Sequence, residues 1–316
     1  MFTINLCLSD FISPLLTYHM FVYSSYMGIW QFSYNMCVFY AICQGFCGLM
    51  SIASLAAIAF ERYARVTMPQ SKWAHMSAKR RLAIIAFLWL YCAMVTTPPL
   101  YGLGKYVAAG FLNTCCFDYI DRSLSTRIFI LGLFALGLGV PMCVIIYCYV
   151  GIGLHVSRTN RNRNISRTVP PSSSSEGTAF CVEQATGLIV GGSVVIEQGA
   201  KRRQRVLDKE LKIARLTLLI ISVFVAAWVP YGTVALLGQY GPIGIVTPWM
   251  AMLPSVCAKS STLYNPILYA YKDVRLQRGI RKYVLQHSSA QNEKSVSASA
   301  TAAQSVREPI VLTTEI

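Results

Sequence analysis

The chain has 316 residues, of which 54% are hydrophobic and 13% charged, about half the charged fraction usual in soluble domains. This composition describes a membrane protein and leaves room for no sizeable soluble domain. The net charge of +15 raises nucleic acid as a partner, but the basic residues are sorted by side. Of 28 Lys and Arg, 24 fall within 62–81, 158–215 or from Lys272 onward. Only Lys105, Arg122 and Arg127 alternate with them on the opposite side. The positive-inside rule therefore puts the first three segments, C-terminus included, in the cytoplasm of a multi-pass protein, and no nucleic acid is needed to explain the charge.

Six apolar stretches are long enough to cross a hydrocarbon core of about 30 Å as helices. They are 2–27, 35–60, 82–103, 127–150, 211–237 and 246–271, and the first begins at Met1 with no basic leader. Thr97, Pro98 and Pro99 predict a helix break near an outer end. The outer loop 104–126 mixes Gly, Asn and Asp. It also holds Cys115 and Cys116, which with Cys37 are the cysteines on the oxidising side, so one disulfide from Cys37 to this loop is expected. The remaining cysteines are too scattered for a zinc site.

The spans predict four membrane helices with their loops over 1–155 and two more over 209–272. Between them, 156–208 opens with an Arg/Asn run and continues through Pro170, Pro171 and four serines, a composition that builds no core. Within it, 188–196 is apolar but too short for a span; a surface patch, a partner site and an insertion all fit it. Residues 273–285 pattern as a short amphipathic helix lying on anionic lipid. The Ser/Thr/Ala-rich remainder, 286–316, reads as a disordered tail.

Ionisable residues inside a span are costly and hence functional candidates. Lys259 sits deep in the last span, where a desolvated lysine is a nucleophile that condenses with aldehydes to a Schiff base; the bland alternative is a lysine snorkelling to the interface. Glu61, Arg62 and Tyr63 close the inner end of the second span. Glu61 beside Arg62, with Glu210 on another helix, forms either a breakable latch or three solvated helix-end residues. Asn265-Pro266 breaks the last helix mid-way, and Asn265 is placed to bridge by water towards Asp10. Pro230, just after Trp228, kinks another helix next to a large aromatic.

Together these residues resemble the rhodopsin-like G-protein-coupled receptors, from Asn5 to about Tyr283 outside the long inner loop. Asn5-Leu-x-x-x-Asp10 is similar to that family's second helix and Glu61-Arg62-Tyr63 to its arginine switch. Pro141 with Tyr149 resembles the fifth helix, Trp228-Val-Pro230 the sixth-helix toggle, and Asn265-Pro266-x-x-Tyr269 the seventh-helix switch. The resemblance implies an all-α seven-helix bundle of which this chain carries helices two to seven, and a disulfide between Cys37 and Cys115. It also implies that Glu210 is the acidic partner of Arg62.

Lys259, seven residues before Pro266, occupies the retinal-lysine position of opsins, within the run Ala258-Lys259-Ser260-Ser261. The wording of 89–106 and 254–269 is most similar to the non-visual neuropsin group. The resemblance then implies a photoreceptor with covalent retinal and a pocket of Gln44, Gly45, Gly48, Phe134, Trp228, Tyr231 and Ala258. The glycines leave room for a polyene or, equally, pack helices. The implied partners are a heterotrimeric G protein of the inhibitory class, arrestin and a receptor kinase, at the plasma membrane.

Opsins keep a glutamate counterion at the positions of Tyr40 or Ala109, and this chain has neither; Asp118 substitutes only if the loop folds unusually. A protonated Schiff base without a carboxylate is disfavoured, so near-ultraviolet absorption is expected. Rival readings are an opsin-like retinal photoisomerase, a receptor for a diffusible ligand, and a truncated non-signalling isoform.

Overall fold

The computed structural model describes the backbone of residues 1–168 and 186–272 and of 278–279, 281–283 and 285. Side chains are described over 1–161, at 202, over 204–264 and at 267, together with those last six residues. The chain divides into two compact units, Met1–Asn265 and Pro266–Ile316. In the second, the backbone is helical up to Lys272 and at the six residues from 278 to 285. The rest of the expected 273–285 surface helix, and all of the tail beyond it, lie outside the described residues.

In the first unit, α1 (Phe2–Met27) ends at Gly28, whose φ of 82° reverses the chain without a side-chain clash. Ser33 caps α2 (Tyr34–Thr67), its hydroxyl accepting from the Met36 amide, and Ser77 caps α3 (Ala78–Thr96) in the same way. The expected break falls at Thr97, where Pro98–Tyr101 turns as a 3-10 helix. Asn5 ties three helices together: its amide donates to Ser54 on α2 at 2.8 Å and accepts from the Trp89 indole on α3 at 2.9 Å.

The outer loop, whose composition shows no strand pattern, folds into an antiparallel hairpin of β1 (Tyr106–Ala109) and β2 (Thr114–Phe117), with Ala109 opposite Thr114. Gly110 and Leu112 turn it with φ of 66° and 61°. The expected disulfide is present between Cys37 and Cys115 and fastens β2 to the outer end of α2. The loop also grips the outer end of α6 (Thr186–Tyr240). Arg122 donates to the carbonyls of Gly238 and Gly241, which have no partner inside the helix, and Gln239 donates to the carbonyls of Tyr119 and Asp121.

The next rod starts as α4 (Leu124–Gly132), widens to a π turn over Leu133–Gly139, and continues as α5 (Val140–Thr168). Pro141 lacks the N–H that the Gly137 carbonyl would accept from, and the wider turn accommodates that loss. The last helix, α7, spans Pro248–Lys272.

The 156–208 segment, expected to be largely irregular, is a correction: its backbone is helical over 156–168 and 186–208, as continuations of α5 and α6. Helix-favouring residues such as Gln198, Ala200 and Lys201–Arg205 extend a helix already nucleated by the bundle, so only elongation is required. Residues 169–185 lie outside the described residues, and the apolar 188–196 stretch is part of α6. Three helices among the described residues are long and apolar enough to cross a membrane by length and composition, Tyr34–Thr67, Leu124–Arg161 and Gln204–Tyr240. Helices α1 and α7 are diluted by the polar side chains they carry inward, and α3 by Lys79, Arg80 and Arg81.

Candidate functional site

A cavity lies beneath the hairpin, between α2, the π turn, α6 and α7. Lys259 and Ala258 of α7, Gln44, Gly45 and Gly48 of α2, Phe134 of the π turn, and Trp228 and Tyr231 of α6 all line it. The structure therefore brings together every residue expected in the pocket. Cys115 and Cys116 of β2 form part of its roof.

Lys259 does not snorkel. Its Nζ donates to the hydroxyl of Thr114 on β2 at 2.8 Å and sits 4.4 Å from the centroid of the Phe21 ring and 5.6 Å from that of Tyr40. Tyr18 of α1 donates to the Lys259 carbonyl and pairs with Thr262, which fixes this stretch of α7 against α1. Among the described residues, no Asp or Glu lies within ion-pair distance of Lys259. Asp118 is engaged elsewhere, its carboxylate accepting from the backbone amides of Ile120 and Asp121. The Cys116 thiol donates to the Phe117 carbonyl at 3.3 Å, and burial pushes it up to about 11, so it is uncharged at neutral pH.

Two pocket residues have duties the sequence did not reveal. The vacancy at Gly48 is filled by Trp228, since a Cβ there would stand 2.5 Å from the indole Cη2. Gly48 thus makes room for the aromatic ring rather than directly for a polyene. Gln44 lines the cavity but holds its amide between Ser13, at 3.0 Å, and Thr17, at 2.9 Å. Trp228 is held further by an indole hydrogen bond to Ser261 at 3.1 Å and by Phe224 at 5.7 Å between ring centroids. Gly48→Ala is expected to destabilise the fold by about 1–3 kcal/mol through overpacking. Adding Trp228→Phe should restore most of that loss, and thermal melting of the two variants checks it.

The inner end differs in part from expectation. Arg62 pairs with Glu210 at 2.9 Å, so the cross-helix contact between α2 and α6 exists. Glu61, however, is not the second carboxylate on Arg62. It pairs with Arg65 at 2.8 Å and with Arg81 of α3 at 3.0 Å, while Glu210 also reaches Arg65 at 3.4 Å. Adjacent helical residues point about 100° apart, whereas positions four apart share a face, so Glu61 meets Arg65 and not its neighbour. Tyr63 stands 5.4 Å from the Tyr147 ring, and Tyr149 donates to the Ala214 carbonyl at 2.9 Å, tying α5 to α6. Asp10 accepts from Ser51 at 2.7 Å. Asn265, Pro266 and Tyr269 lie within α7, and their side chains lie outside the described residues.

Comparison with known proteins assigns the architecture. The family model "7 transmembrane receptor (rhodopsin family)" matches residues 1–269. The chain belongs to the rhodopsin family of seven-transmembrane receptors. It is 31% identical to rhodopsin of Todarodes pacificus over 281 residues, 89% of this chain and 57% of that protein. It is 32% identical to melanopsin of Homo sapiens over 284 residues, 90% and 54% respectively. It superposes on the crystal structure of squid rhodopsin with a TM-score of 0.75 at 31% identity, covering 89% of this chain and 74% of that one. The chain spans a little over half the length of these curated relatives. Membership makes it an integral membrane protein and accounts for the polar character of α1 and α7, which line the interior of a bundle.

The cavity is walled by Phe134, Trp228, Tyr231 and small residues and is also lined by Lys259. The sequence reading missed Thr114. Its signal was present, since it immediately precedes the loop cysteine of the disulfide, but no spacing rule connects a loop threonine to a lysine 145 positions away.

Proposed function

We propose that this chain is an opsin that holds retinal as a Schiff base on Lys259 and activates a heterotrimeric G protein on illumination. The observation that carries this reading is the Lys259 amine, which lines an aromatic-walled cavity with Thr114 as its hydrogen-bond partner. A receptor for a diffusible, non-covalent ligand has no need of an amine in its cavity, whereas a covalently held chromophore does. Retinal in this site supplies a polyene whose shape changes on absorbing light. The chain's own residues do the rest. Lys259 anchors the group, its two amine hydrogens leaving as water with the aldehyde oxygen. Trp228, seated in the Gly48 vacancy and bonded to Ser261, forms part of the cavity wall. The Arg62–Glu210 pair closes the inner ends of α2 and α6 and is the element that must part for a G protein to dock.

That pair favours a signalling receptor over a photoisomerase, which has no use for an inner latch. The lack of a carboxylate within ion-pair distance of Lys259 among the described residues supports absorption in the near ultraviolet. Similarity of 89–106 and 254–269 to neuropsins supports an inhibitory G protein, with arrestin and a receptor kinase acting on a cytoplasmic C-terminus at the plasma membrane.

The test is the absorption spectrum of the purified full chain with 11-cis and with all-trans retinal, beside Lys259→Ala. The expected result is a pigment absorbing in the near ultraviolet at neutral pH, shifted into the visible by acid denaturation, and absent from Lys259→Ala. A folded wild type that forms no pigment overturns the opsin reading. A pigment absorbing in the visible at neutral pH overturns the ultraviolet assignment alone.

A further inference from the structure

We infer that Thr114, backed by Tyr40, is the hydrogen-bond partner that positions the Lys259 nitrogen and, being uncharged, offers no anion that would hold a proton on the chromophore linkage. The inference rests on the opsin reading and assigns a specific residue to it. Thr114 Oγ1 lies 2.8 Å from Lys259 Nζ and donates to the Tyr40 hydroxyl at 3.2 Å. Thr114 and Tyr40 are buried and Lys259 partly so, and the strand geometry of β2 and the Cys37–Cys115 link leave Thr114 little freedom.

The chemistry turns on who donates. With a free amine, Lys259 donates, Thr114 accepts, and Thr114 in turn donates to Tyr40. Once the nitrogen is bonded to carbon and uncharged, it has a lone pair and no hydrogen. A hydroxyl can reverse its role where a fixed donor or acceptor cannot. Thr114 then donates to the nitrogen and Tyr40 donates to Thr114, with rotation of two O–H bonds and no movement of heavy atoms. A protonated nitrogen would instead need a negative partner to offset its burial. The groups facing Lys259 are Tyr18 and Phe21 from α1, Tyr40 from α2, and Thr114 and Cys116 from β2, and none is a carboxylate. A carboxylate placed at 114 would be the nearest anion to the nitrogen, so this position decides the charge of the linkage.

The experiment compares Thr114→Asp, Thr114→Val and Thr114→Ser with the wild type in the full chain. Retinal attachment to Lys259 in each is established by acid trapping. Thr114→Asp is expected to move the absorption band from the near ultraviolet into the visible at neutral pH. Thr114→Val, which keeps the shape and removes the hydroxyl, should stay in the ultraviolet but shift the C=N stretching frequency in the Raman spectrum, and Thr114→Ser should restore it. Without retinal, Thr114→Asp should melt at a markedly lower temperature when combined with Lys259→Ala than alone, because the pair then leaves a buried carboxylate unpartnered.

If Lys259 carries retinal in every variant and neither band nor C=N stretch moves, the inference fails while the opsin reading stands. If the wild type itself carries no retinal, the opsin reading fails first. Should Thr114→Asp not fold, the Val and Ser pair still decides: an unchanged C=N stretch in Thr114→Val overturns the role of the hydroxyl.

Discussion

Cys37→Ala is expected to lower the stability of the folded chain by about 4 kcal/mol and to open the roof of the cavity. The bond closes a loop of 78 residues, and on chain-entropy grounds a cross-link over that length restricts the unfolded chain by roughly that amount. Its position makes the loss local as well as global. Cys115 is flanked in β2 by Thr114, which holds Lys259, and by Cys116, which faces the cavity. Without the disulfide, the hairpin is retained by its own ladder and by single hydrogen bonds from Thr114 to Tyr40, Tyr106 to Thr96, Asn113 to Ser25 and Trp30 to Leu112, and a two-stranded ribbon is marginal by itself. Cys115→Ala should match Cys37→Ala, and the double variant should lose no more than either, because all three break the same bond. The check is thermal melting, where a fall of roughly 10 °C is expected, together with hydroxylamine bleaching of the pigment, which should quicken as the roof loosens. Unchanged melting would mean that the loop is held by its non-covalent contacts alone.

Glu210→Gln should leave the fold intact but separate the inner ends of α2 and α6. Glu210 is shared by Arg62 at 2.9 Å and Arg65 at 3.4 Å, all three side chains being only partly exposed. A charge-assisted hydrogen bond of this kind contributes about 1.5–3 kcal/mol, and each 1.4 kcal/mol is a tenfold change in a two-state ratio. The open form should therefore rise at least tenfold in the dark. Arg65 retains Glu61, and Arg81 pairs with the same Glu61 carboxylate, so the network on α2 and α3 survives and Arg62 is the group set free. Spin labels at the inner ends of α2 and α6 would read this as a new, longer distance in the absence of light. Nucleotide exchange on an added G protein should rise in parallel. A distance distribution identical to that of the wild type would show that Arg62–Glu210 is not the closing contact.

Much of the architecture was legible in the chain itself, because a bilayer permits so few solutions. Apolar length defines a span, basic loops define its side, and a lysine, a proline or an Arg-Glu pair inside such a frame stands out against an otherwise apolar background. Lys259, the Cys37 tie to the outer loop, the helix break at Thr97 and the Arg62–Glu210 pairing all follow from identity and position along one helix or from the family resemblance. The π turn, the hairpin, the onward run of α5 and α6, the Gly48 seat for Trp228, the pairing of Glu61 with Arg65 and Arg81, and Thr114 beside Lys259 do not. Each of these depends on which groups meet across elements distant in sequence, or on how a helix absorbs a proline. Such meetings are set by packing and by the covalent anchor of β2, not by any periodicity within a segment. The sequence by itself determined a membrane bundle with one lysine inside a span; the tertiary structure decided that the lysine faces a neutral threonine rather than a carboxylate, because only folding brings β2 over α7.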